Sequence, residues 1–187
     1  MEVYFATRNT GKFREVESLA LKYGVKVKHL NFEAVEIQSE NLEQIALTSL
    51  ENVLDKYSLP VFVEDSGLFI PSLKGFPGPY SSYTYKTIGF EGILRLMVNV
   101  KNRKAYFLSV IAFGSPNISP KIFRGRVDGV IVSKPRGEHG FGFDPIFKPK
   151  NSRKTFAEMS VEEKNKFSHR SKASRAFFKW FKNVFNV

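Results

Sequence analysis

Val61-Phe62-Val63-Glu64-Asp65-Ser66-Gly67-Leu68-Phe69-Ile70 sets two adjacent carboxylates inside an apolar run. Three apolar, mostly β-branched residues lead in, and three apolar residues lead out. The pattern predicts a buried strand whose end presents Glu64-Asp65 at a Ser-Gly turn. Charge in such a place is costly unless a cation or metal accompanies it. The same residues also suit a plain surface turn, because Asp-Ser-Gly is ordinary turn chemistry. Taken alone, the stretch supports both readings, and its neighbours must decide.

Upstream, Val3-Tyr4-Phe5 reads as a short strand, followed by Thr7-Arg8-Asn9-Thr10-Gly11-Lys12. A helix comes next, with Phe13, Val16, Leu19, Ala20 and Tyr23 at helical spacing and Gly24 as its stop. A donor-rich loop thus joins a strand to a helix N-terminus, where unpaired N–H groups favour an anion. Lys12 adds a full charge, and Thr7 and Asn9 add hydrogen bonds. The spacing is not that of a Walker loop; a simple cap by Asn9 or Thr10 explains the same residues. Val25 to Leu30 reads as a second strand, and a helix is predicted from about Asn41 to Tyr57, with Asn41 and Gln44 as a capping pair. Glu36 lies between them. With Asp65 it offers two carboxylates from separate segments, the usual protein share of a Mg²⁺ site; by itself it reads as a solvated loop acid.

Downstream, prolines, glycines and aromatics between Pro71 and Tyr83 preclude long regular structure and suggest a lid or an oligomer contact. A short helix is expected within Ile88–Val98. Arg103–Phe113 and Ile122–Val132 read as a hairpin, with Arg124 and Arg126 on an exposed strand face. In Gly140-Phe141-Gly142-Phe143-Asp144-Pro145, glycines around an aromatic allow close approach to a flat ligand. Phe141 is placed to stack on a base, and Asp144 to hold a polar edge or a partner arginine. Ser160-Val161-Glu162-Glu163 is a capping box opening a helix that carries Lys164. Ser168 caps the last helix, whose stripe of Ala173, Ala176, Phe177, Trp180, Phe181 and Val184 is core. His169 and Arg170 in its first turn oppose the helix dipole, which calls for an acceptor-rich partner.

The 187 residues suit one domain and bury roughly 70% of the extended surface. With 19 Phe and no Cys, the core is aromatic and neither disulfides nor thiolate metal sites exist. No run of about 18 apolar residues predicts a membrane span. The N-terminus is not a signal peptide, so a cytoplasmic protein is expected. The net charge of +11 is divided unevenly: residues 1–94 carry 9 basic and 12 acidic side chains, residues 95–187 carry 20 and 6. The basic excess suits an anionic partner or a largely solvated basic surface alike, and a site that joins a metal to a polyphosphate would use both signs.

Together these pieces resemble the inosine triphosphate pyrophosphatases, the HAM1-like family, in an archaeal form. The resemblance rests on Thr7-x-Asn9-x-x-Lys12, Glu64-Asp65-Ser66-Gly67-Leu68, Gly75-x-Pro77-Gly78, Phe141-Gly142-Phe143-Asp144-Pro145, Ala157-Glu158-Met159 and Glu163-Lys164-Asn165 with Ser168-His169-Arg170. It implies an α/β fold with an elongated mixed sheet, flanking helices and two lobes around a central cleft, all within one domain over residues 1–187. It implies Mg²⁺-dependent hydrolysis of ITP, dITP and XTP to monophosphate and pyrophosphate, by a homodimer with no stable nucleic-acid partner and no membrane. By position, Thr7, Arg8, Asn9, Thr10, Gly11 and Lys12 would hold the triphosphate. Glu36 and Asp65 would hold the metal, with Asp65 also the proton acceptor. Ser66, Phe141, Gly142, Phe143, Asp144, Lys164, His169 and Arg170 would contact substrate. One position departs: many relatives have a lysine on the second helix where this chain has Thr48 or a neighbour, and Lys56 lies too far along to replace it.

Overall fold

The computed structural model describes residues 2–35, 37–116 and 118–185. Among these, strands β1 (Glu2–Ala6), β2 (Lys26–Leu30), β3 (Val61–Phe69), β4 (Pro77–Gly78), β5 (Lys104–Ser115), β6 (Ile118–Ile131) and β7 (Phe147–Pro149) form one mixed sheet. Its order is β2-β1-β3-β5-β6-β7, with β4 also on β3. β1 runs parallel to β2 and β3; the remaining pairs are antiparallel. The helices are α1 (Thr10–Ala20), α2 (Leu42–Leu54), α3 (Ser81–Leu96), α4 (Val161–Phe167) and α5 (His169–Phe185). None is long and apolar enough to cross a membrane.

β3 organises the sheet. Along one edge it pairs with β5 over its whole length, from Val61 opposite Gly114 to Phe69 opposite Tyr106. Along the other edge it meets β1 only at Val61 and Phe62, and β4 only at Leu68 and Phe69. Among the described residues no strand lies beside Val63–Gly67 on that edge. Other groups take up the polar atoms there. The Lys12 ammonium donates to the Glu64 carbonyl at 3.0 Å. The Ser66 N–H donates to Asp65 Oδ1 at 2.8 Å, and the Leu68 N–H to Ser81 Oγ at 2.8 Å. The expected Ser-Gly turn is therefore absent: the strand runs straight through Glu64-Asp65-Ser66-Gly67. Gly67 is needed for packing, since a Cβ there would lie 2.2 Å from the Gly78 carbonyl oxygen of β4.

The two faces of the sheet are filled as the patterns require. Phe5, Phe62 and Phe113 pack under α1 and the apolar stripe of α5, led by Phe177, Phe178 and Phe181. Val61, Val63, Val110 and Ala112 pack under Leu50 and Val53 of α2. Leu68, Ile70, Phe107, Phe147 and Phe156 build a further cluster with Ile93 and Met97.

Two boundaries differ from the sequence reading. α2 stops at Leu54 rather than Tyr57, and Asn41 caps it through the Glu43 N–H while Gln44 binds Ser39 instead. The third helix starts at Ser81, well before Ile88, because a kink at Gly89 (φ 64°) joins two helical pieces. Phe76, Tyr80, Tyr83 and Tyr85 are exposed on and before it. Arg124 and Arg126 lie on an exposed strand face as expected, Arg124 paired with Glu43 and Arg126 stacked 3.8 Å over Tyr106.

Candidate functional site

The site forms where β1 ends and α1 begins, beside the open edge of β3. Tyr4 and Phe5 lie opposite Val61 and Phe62, so parallel pairing carries the loop after Ala6 to the level of Glu64. Asn9 is the N-cap of α1, its side chain accepting from the Lys12 N–H at 2.9 Å, and its own N–H donates to Thr7 Oγ1 at 3.1 Å. Capping thus uses part of the loop's donor capacity and sets its shape. Arg8, Asn9 and Thr10 remain exposed, with Arg8 paired to Glu33. The Lys12 ammonium turns inward, 2.9 Å from Glu64 Oε2 and 4.0 Å from Asp65 Oδ1.

Strand alternation sends the two carboxylates to opposite faces. Glu64 points, with Phe62 and Ser66, toward α5, and its side chain has no exposed surface. Asp65 points, with Val63, toward the α2 side and keeps 27% of its side-chain surface. Burial alone would raise the pKa of Glu64; the charges of Arg170 and Lys12 and the hydroxyl of Ser109 reverse this and hold it far below the usual carboxylate range.

On the α5 side, Glu15, Asp144, Lys164 and Arg170 form a buried ionic cluster. Lys164 Nζ lies 2.6 Å from Glu15 Oε1 and 2.5 Å from Asp144 Oδ2, and Arg170 Nη1 lies 2.6 Å from Glu15 Oε2. Arg170 Nη2 donates to Ser66 Oγ at 2.9 Å. Burial opposes ionisation throughout. It is overcome at Glu15, whose pKa is lowered by Arg170 and Lys164, and at Lys164, whose pKa is raised by Asp144 and Glu15. At Asp144 burial prevails and the pKa is raised despite Lys164. The acceptor-rich surrounding expected for His169-Arg170 is supplied for Arg170 by Glu15 and Glu64. His169 is buried, stacked on Phe107 with ring centroids 4.6 Å apart, and burial pushes its pKa well below the ordinary value.

Phe141 joins the two ends. Its ring lies 4.9 Å from the Lys164 ammonium and 5.5 Å from the Arg170 guanidinium. It also rests on Gly11, where a Cβ would come within 2.7 Å of Phe141 Cδ1. The Phe141 N–H donates to Asp144 Oδ2 at 3.0 Å, so Asp144 fixes the turn Phe141-Gly142-Phe143 and binds a lysine, not an arginine. Phe143 is buried, edge-on to Tyr85. The structure therefore gathers Thr7–Lys12, Ser66, Phe141–Asp144, Lys164 and Arg170 around one place, with Asp65 on the other face of β3 reached through Lys12 at 4.0 Å, while His169 is turned into the core against Phe107. Glu36 lies outside the described residues.

Two members were missed in the sequence. Glu15 had a readable signal: Lys12, Glu15, Val16 and Leu19 follow i, i+3, i+4, i+7, so an acid sits on the apolar stripe of α1. Ser109, fully buried on β5 and donating to Glu64 Oε1 at 2.6 Å, had none within an apolar strand.

A sequence profile of the Ham1 family matches residues 3–180. A protein of Methanopyrus kandleri named dITP/XTP pyrophosphatase is 49% identical over 183 residues, 98% of this chain and 97% of its own. One of the same name from Pyrococcus horikoshii is 51% identical over 182 residues, 97% of each chain. Among solved structures, the Staphylococcus aureus Ham1 protein superposes with a TM-score of 0.84 at 29% identity, covering 98% of this chain and all of that one. With nearly every residue inside the match and the fold shared, the chain belongs to the Ham1 family.

Proposed function

We propose that this chain hydrolyses non-canonical purine nucleoside triphosphates (dITP, XTP and ITP) to the monophosphate and pyrophosphate, clearing deaminated purines from the nucleotide pool. The observation that carries the reading is the meeting, at the open edge of β3, of a capped helix N-terminus, the Asp65 carboxylate and the Phe141 ring set over Lys164 and Arg170. Relatives close to half identical over nearly their whole length bear the name dITP/XTP pyrophosphatase, which supports the substrate class.

In this reading the triphosphate lies along Thr7–Lys12, where unpaired N–H groups and the positive end of α1 favour it. Phe141 stacks on the base. Ser66, held by Arg170, touches the substrate beside Asp65. Asp65 orients a water, or takes its proton, for attack on the α-phosphorus, and pyrophosphate leaves toward Lys12 and the basic half of the chain.

The residues present fit a Mg²⁺ ion. Asp65 is partly exposed beside the phosphate loop, and Mg²⁺ needs only one or two carboxylates when phosphates and waters complete its shell. Among the described residues no larger cluster of acidic or His side chains competes with that place. Asp65 and Glu36 would hold the ion, which when bound neutralises phosphate charge and orients the α-phosphoryl group.

Selection against adenine follows from hydrogen-bond polarity; guanine shares the 6-oxo group, so its 2-amino group must be rejected separately. Hypoxanthine and xanthine offer a 6-oxo acceptor to N–H groups of the Phe141–Asp144 turn other than those of Phe141 and Asp144, which are bonded within the turn. Adenine offers a donor there and leaves each such group unpaired, at about 1–3 kcal/mol. The reading carries with it a single two-lobed domain with the reaction in the cleft, acting as a homodimer in the cytoplasm; the exposed aromatics Phe76, Tyr80 and Tyr83 support a contact between copies.

The test is pyrophosphate release from dITP, ITP, XTP, GTP and ATP, each with and without Mg²⁺. Metal-dependent release from the first three with GTP and ATP nearly inert is expected. Equal release from all five would remove the pool-cleaning role, and release from none would remove the hydrolase.

A further inference from the structure

Glu64 and Asp65 are neighbours, yet their surroundings assign them different work. Glu64 has no exposed side-chain surface. Its Oε1 accepts from Ser109 Oγ at 2.6 Å and lies 3.2 Å from Arg170 Nε; its Oε2 lies 2.9 Å from Lys12 Nζ. Lys12 stands in the first turn of α1 at one end of the site, and Arg170 lies beneath Phe141 at the other. One carboxylate, fixed by one buried hydroxyl, therefore holds a cation from each end.

We propose that Glu64, oriented by Ser109, is a positioning strut that sets Lys12 and Arg170 relative to each other, and that it is not a metal ligand. The proposal rests on the reaction proposed above. Mg²⁺ demands near-octahedral oxygen geometry and keeps several waters. A carboxylate with no exposed surface and a cation against each oxygen cannot supply that geometry without giving up both partners. Asp65, on the opposite face of the strand and 27% exposed, has room for it. Arg170 also donates to Ser66, the residue after Asp65, so a displaced Arg170 disturbs the strand on the substrate side. Loss of the strut should loosen both ends of the site and leave the affinity for metal intact.

The experiment compares full-length wild type with Glu64→Gln, Ser109→Ala and Asp65→Asn. Calorimetry measures binding of Mn²⁺ alone, of pyrophosphate, and of IMP; steady-state turnover of dITP supplies KM and kcat. Glu64→Gln should weaken pyrophosphate and IMP alike by about tenfold, since a buried charge loses its partner, with Mn²⁺ affinity within about twofold of wild type. Ser109→Ala should act in the same direction by about threefold, the scale of one hydrogen bond, and raise the KM for dITP more than it lowers kcat. Asp65→Asn should do the reverse, weakening Mn²⁺ first. The strut is overturned if Glu64→Gln weakens Mn²⁺ as Asp65→Asn does, or if pyrophosphate weakens while IMP is unaffected. Should Glu64→Gln fail to fold, Ser109→Ala, which removes one hydroxyl, decides the matter by the same readouts. Wild type that does not turn over dITP removes the reaction and the strut's role with it. Active wild type with both variants unaltered removes the strut alone.

Discussion

Arg8, Asn9 and Thr10 at the mouth of α1 are exposed, while Glu15, in the next turn and a half of the same helix, is 4% exposed and clamped between Lys164 and Arg170. One end of the site is a solvent-exposed turn, with Arg8 paired to Glu33 at the surface. The other is a closed ionic cluster whose charges already have partners. Interactions organised before the substrate arrives cost no rearrangement when it binds. An exposed turn, by contrast, holds its Arg8 ion pair in water, where such a pair is worth little. The contrast also divides the molecule energetically: damage to the loop should reach activity, and damage to the cluster should reach stability.

The sharpest way to break that division is at Asp65. Asp65→Asn keeps the shape of the strand and removes the base, so kcat for dITP should fall by about 10²–10⁴-fold with the melting temperature nearly unchanged. Retained turnover would reject the assignment. Lys164→Met tests the other side, because it leaves Glu15 and Asp144 buried without their shared cation. Breaking a buried pair costs about 3–5 kcal/mol, to be read as a lower midpoint in urea; an unchanged midpoint would mean the cluster contributes specificity alone. Phe141→Ala sits on the border between the two ends. Loss of stacking should raise KM by the equivalent of about 1–3 kcal/mol with a smaller change in kcat, and an unchanged KM would count against stacking.

The smallest effect concerns pH. Burial and the neighbouring Arg170 depress the pKa of His169, so below its ordinary value of 6.5 the unfolded chain binds the extra proton and the folded chain does not. Stability then falls as pH drops from about 6.5, by at most about 1.4 kcal/mol per pH unit from this group. Glu15 and Glu64, also depressed, add their losses only below about 4.5, whereas Asp144, raised, acts with the opposite sign. The effect is therefore read as the difference between urea titrations of wild type and His169→Asn. Identical pH profiles would show that His169 binds its proton equally in the folded and unfolded chains, with no depression by the fold.

Local signals carried much of this into the sequence. Helical spacing and caps located α1, α4 and α5, and the apolar runs located β3, β5 and β6. What local signals could not supply was register. Glu64-Asp65-Ser66-Gly67 reads as a turn because each residue suits one, yet antiparallel pairing with Ile111–Leu108 keeps it extended. The gap between the two pieces of edge pairing comes from β1 and β4, which lie outside the stretch, and nothing within it announces the gap. Ser109 was invisible for the same reason, since only the register of β5 places it beside Glu64. Glu15 was legible but ambiguous, as an acid on an apolar stripe also suits a helix turned toward solvent.

The break in pairing along β3 has a consequence for how the protein fares at high concentration. Bare strand edges invite strands of other molecules and seed aggregates. Here the interrupted edge spans only Val63–Gly67 and ends against β1 on one side and β4 on the other. Its polar backbone groups at Glu64, Ser66 and Leu68 are taken by Lys12, Asp65 and Ser81. An open stretch of this length, bounded by a strand at each end, is too short to template a foreign strand. The same side chains that shape the site guard the sheet against self-association.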